Sequence, residues 1–62
     1  MQEDFTVGEM VKEAEREVSN RCRVYGRLIR DGKMTEADAN RKIELMRAIA
    51  AHLKAEIEPE LL

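Results

Sequence analysis

In the first half of the chain the apolar side chains fall at Val7, Val11, Ala14, Val18, Tyr25 and Leu28, in steps of four and three with one gap at Arg21. Past the middle the same rule runs without a miss through Ala39, Ile43, Met46, Ala50, Leu53 and Ile57. Steps of three and four keep successive residues on one face of an α-helix. Their mean period, about 3.5 residues, is the coiled-coil seam of helices that pack nearly parallel or antiparallel, knobs into holes. Strands need alternation by two, and none appears. The pattern predicts two amphipathic helices and an all-α fold.

Between the two runs lies the stretch DGKMT, residues 31–35. Gly32 can take the left-handed conformation that closes a helix at little steric cost. Three positions on, Thr35 is a good N-cap, its hydroxyl placed to accept from the backbone N–H of Asp38. Asp38 is placed to reach back in a shorter version of the capping box, where Glu or Gln is usual. Glu36 and Asp38 put negative charge at the positive end of the helix dipole, and Met34 is placed to staple onto Ala39. Stop and start signals this close leave a short connection, which makes the helices antiparallel neighbours.

The expected architecture is one antiparallel two-helix hairpin domain over residues 1–62. Its helices run from about 6 to 31 and from about 36 to 58, with the turn at 32–35 and Pro59 forbidding continuation. Residues 1–4 and 60–62 are expected to fray. Gly26 inside the first helix costs about 1 kcal/mol against alanine and marks either a bend or a close approach by another helix.

A lone hairpin buries one seam, and this chain has more apolar surface than one seam consumes. Leu45, Ile49, Ala48 and Ala51 widen the second stripe; Cys22, Val24 and Ile29 flank the first. Leaving such surface in water costs about 25 cal/mol for each Å². Association of two hairpins into a homodimeric four-helix bundle removes it. The residues expected to pack in core or dimer are Val11, Val18, Tyr25, Leu28, Ile43, Leu45, Met46, Ile49, Leu53 and Ile57.

Composition narrows the function classes. Charged residues make up 39% and hydrophobic ones 44%, with Phe5 and Tyr25 as the sole aromatics, the palette of packed helices rather than a disordered tail. A net charge of −2 supplies no global field toward nucleic acid or an anionic membrane. Cys22 has no disulfide partner in the chain, and with His52 alone it makes no metal set. No apolar run approaches the roughly 20 residues that span a bilayer, and the acidic start MQEDF is unlike a secretion signal. The expectation is a soluble cytoplasmic protein that touches no membrane.

The charges are not evenly spread. Arg16, Arg23 and Arg30 are spaced by sevens, with Arg27 beside them, on the face of the first helix opposite the seam. With Lys33 they make the loop end basic, while the chain ends, MQED and EIEPELL, are acidic. A solvated face explains such a stripe. So does a docking surface for a carboxylate-rich protein or a phosphate backbone, which arginine forks suit. Arg21 sits on the seam itself, either snorkelling to its edge or pairing with an acid of a partner helix. Cys22 reads as a small packing residue, Tyr25 as a seam residue with a polar tip, and His52 as a flank residue. There is no glycine-rich phosphate loop, no Ser-His-acid set and no carboxylate cluster with a cleft. No catalytic residue, metal or cofactor is expected.

The stretch RVYGRLIRDGKMTEADANRKIELMRAI, residues 23–49, resembles a group of short proteins encoded in bacteriophages and proteobacterial prophages. These carry Arg-Val-Tyr, then Gly-Lys/Arg-Met-Thr, then Met-x-Ala-Ile. The matching residues are Arg23, Val24, Tyr25, Gly32, Lys33, Met34, Thr35, Ala39, Ile43, Met46, Ala48 and Ile49; where the group often has proline after the tyrosine, this chain has Gly26. The resemblance covers under half of the chain and brings no biochemical activity with it. It implies a phage or prophage origin, and proteins of that class often bind and redirect a host protein. The leading expectation is a non-enzymatic, homodimerising protein that binds a host or phage protein. The alternatives are an RNA- or DNA-binding four-helix bundle of the Rop kind and an assembly component of a virion.

Overall fold

The computed structural model describes residues 5–57, which form two helices packed against each other, α1 (Val7–Arg30) and α2 (Glu36–Ile57). At 1.5 Å per residue they are about 36 and 33 Å long. The expected boundaries at about 6 and 31 are the caps of α1, Thr6 and Asp31. The stop at Pro59 and both expected frayed ends lie outside the described residues.

Local chemistry sets each helix end. The Thr6 hydroxyl accepts from the Glu9 N–H at 3.1 Å, and the Glu9 carboxylate accepts from the Thr6 N–H at 3.2 Å, a complete capping box. At the other end Gly32 has φ +74°, its N–H donates to the Ile29 carbonyl at 3.0 Å, and the Lys33 N–H donates to the Leu28 carbonyl at 2.8 Å. These two bonds are a Schellman motif, which satisfies carbonyls the helix leaves orphaned. Two residues later the Thr35 hydroxyl accepts from the Asp38 N–H at 3.1 Å and starts α2. The return bond from the Thr35 N–H to Asp38 does not form among the described residues. Aspartate is one methylene shorter than the glutamate that closes the box at Thr6. Thr6→Ala should therefore lower stability by about 1 kcal/mol, more than Thr35→Ala does, as read from urea midpoints.

The seam is thin. Its buried side chains are Val11, Ala14, Ala39 and Ala50, so among the described residues no side chain larger than valine is buried. Val7, Val18, Tyr25, Leu28, Ile43, Met46 and Leu53 line it half-buried. Three residues of the expected packing set stand outside it: Leu45, Ile49 and Ile57 are 59%, 43% and 45% exposed. At 100° per residue, Leu45 and Ile49 point roughly 80–120° away from the centre of the α2 stripe. Ile57 is the last residue of α2.

Gly26 lies within an unbroken α1, and a Cβ built on it meets nothing within 4 Å. The close approach that this glycine suggested is not made within the hairpin. Gly26→Ala should raise stability by about 1 kcal/mol through helix propensity alone, seen as a higher melting temperature.

Candidate interaction faces

The outer arginine face is built by spacing. Residues seven apart on a helix drift only about 20°, so Arg16, Arg23 and Arg30 follow one line over about 21 Å of α1, with Arg27 beside it. All four are exposed. Arg16 is 4.0 Å from Glu13, and Arg23 donates to the side-chain oxygen of Asn20 at 2.6 Å. Arg27 and Arg30 make no ion pair among the described residues. Such exposed contacts are worth little energetically, so the arginines are not tied down by the fold.

Arg21 is a charged residue on the seam, partly buried there. Its Nε donates to Glu17 at 2.8 Å, and its Nη1 donates to the main-chain carbonyl of Lys42 at 2.9 Å. The bond to Glu17 holds the guanidinium pKa above its ordinary value. Of the two expectations for Arg21, the geometry within the hairpin is that of a side chain snorkelling to the seam's edge. Arg21 pairs with an acid one turn back on its own helix, and α2 supplies a carbonyl. The long aliphatic stem makes this possible by carrying the fork to the seam's edge.

The two sides of the hairpin differ in chemistry. One side is a shallow groove in which Met10, Met46, Ile49 and Leu53 are flanked by Glu13 and Glu17. Met10 and Ile49 are 41% and 43% exposed there, and Leu45 continues the strip on α2. The opposite side is lined by Val18, Ala50 and Ala51 together with Glu15, Arg47 and Lys54. There Lys54 bridges to Glu15 across the helices at 3.8 Å.

Cys22 is exposed, on the flank of the stripe where the sequence places it. His52 is exposed and stands 3.9 Å from Glu56, one turn on in α2. Among the described residues no three His, Cys, Asp or Glu side chains gather as metal ligands, and no helix is long and apolar enough to cross a membrane.

The described residues define an all-α helical hairpin with an arginine-lined outer face and one apolar side. Compared with family models, curated proteins and solved structures, the chain finds no match in any of the three.

Proposed function

We propose that this chain is a non-enzymatic interaction protein whose hairpins pair into a four-helix bundle and whose outer arginines engage a carboxylate-rich partner protein, of the host or of a phage. One observation carries the reading. Among the described residues the seam buries nothing larger than valine, while Met10, Leu45 and Ile49 stand 41%, 59% and 43% exposed on one side. A chain of this size has little stability to spare, and pairing removes that surface from water. Coupled pairing and folding makes the melting temperature depend on protein concentration. A clear rise over a hundredfold concentration range is expected, and a constant melting temperature contradicts the pairing.

The arginine face is tested separately. Arg23→Glu with Arg27→Glu should abolish recovery of a specific partner from bacterial lysate while leaving the melting curve unchanged. Recovery of no near-stoichiometric partner by the unaltered protein counts against the reading. The free forks of Arg27 and Arg30 favour one alternative, a bundle that binds structured RNA or duplex DNA. That alternative requires binding that weakens steeply with salt, with a slope reduced in Arg23→Ala, Arg27→Ala.

A further inference from the structure

We infer that the face covering the Met10/Leu45/Ile49 side is the same face of a second copy of this chain, docked antiparallel so that the two turns lie at opposite ends of the bundle. This rests on the pairing proposed above and specifies its surface and direction.

Both sides flank the same seam, but one exposes Met10, Ile49 and Leu45, whereas the other is crossed by the Glu15–Lys54 bridge. Burying the bridged side would strip two charges of water for a weak pair. The apolar side carries a pair as well, Arg21 with Glu17 at 2.8 Å, but that pair is already partly covered within the hairpin, so less hydration is left to strip there.

The apolar side is also self-complementary. A two-fold interface sets each residue against its counterpart reflected through the axis. An axis crossing the middle of α2, near Arg47, brings Leu45 against the second copy's Ile49 and Ile49 against its Leu45. The two most exposed aliphatic side chains of that strip then cover one another at the centre of the contact.

Charge sets the direction. Residues 19–46, the half nearer the turn, carry seven Lys and Arg against four Asp and Glu. The other described residues, 5–18 and 47–57, carry four Lys and Arg against five Asp and Glu. Each hairpin is therefore a long dipole, net positive at the turn and net negative at the open end. On the docking side itself, Glu13, Glu17 and Glu56 occupy the open half, whereas Arg21 and Lys42 occupy the turn half. Antiparallel docking sets acid against base, and parallel docking sets like on like, which disfavours that arrangement. The antiparallel register does leave Asp38 near the second copy's Glu56. That like-charge pair lies at the exposed rim, where water and salt screen it.

A spin label on Lys33→Cys, in a Cys22→Ser background, reads the direction by dipolar distance between copies. Antiparallel docking predicts a separation of about 35 Å or more, the length of the hairpin. A separation below about 25 Å overturns the direction while leaving the pairing intact, and absence of coupling at monomer mass overturns the pairing itself. The side is read independently. Ile49→Glu should raise the dimer dissociation constant by at least about a hundredfold, and Ala51→Glu on the opposite side should leave it within a few-fold. The reverse ranking overturns the assigned face.

Discussion

Ala39→Leu should lower the stability of the hairpin by about 1–3 kcal/mol, the largest loss expected from a single apolar exchange in the seam. Ala39 is the most buried residue among those described, at 1% exposure. It lies in the first turn of α2, four residues from its cap, where α1 has just ended. A leucine there adds three carbons between helices already in contact. Elsewhere in the seam the helices can splay to make room. Near the turn they cannot, because the Schellman bonds of Gly32 and Lys33 and the Thr35 cap fix both helix ends within a few residues. A domain of this length has on the order of 3–9 kcal/mol in total, so the loss is a large share. Urea titration measures it directly. Ala37→Leu, on the exposed side of the same turn, serves as the control and should be nearly silent. An unchanged midpoint for Ala39→Leu would mean that the helices do not approach closely there.

Gly32→Val should cost about 1–2 kcal/mol from the backbone alone. Gly32 has φ +74°, and a Cβ placed on it has open space around it. The penalty is therefore conformational rather than a clash with neighbours, and a β-branched side chain bears it most heavily. Gly32→Asn should recover a good part of the loss, because asparagine tolerates the left-handed region. Thermal melts of the three proteins should rank Gly, Asn, Val. A valine variant that melts like the parent would show that the turn relaxes into another conformation at no cost.

Much of the hairpin was legible in the sequence because two independent signals coincide. The three-four period defines where the helices run, and Gly32 and Thr35 define where one stops and the next begins. The structure meets both to within a residue at the ends it describes. The box at Thr6 and Glu9 was also legible in the spacing T-x-x-E, a signal that periodicity does not need and therefore passes over.

What pattern could not supply is depth. A periodic reading counts Ala39 and Ile57 as equals, yet the distance between helix axes decides which side chain is enclosed. Close packing here encloses alanines and leaves the longer Leu45 and Ile49 at the sides. The partner of Arg21 was hidden for a different reason. Glu17 stands one turn away in the sequence, but the Lys42 carbonyl belongs to the main chain, and residue type says nothing of where it points. Spacing likewise gathers the four arginines on one face, whereas what they bind depends on a second molecule.

Mass in solution bears most directly on whether each hairpin is covered by a twin. Light scattering on the full chain is expected to give a single species of twice the 7.2 kDa chain mass. A monodisperse species at 7.2 kDa that still melts cooperatively would contradict it.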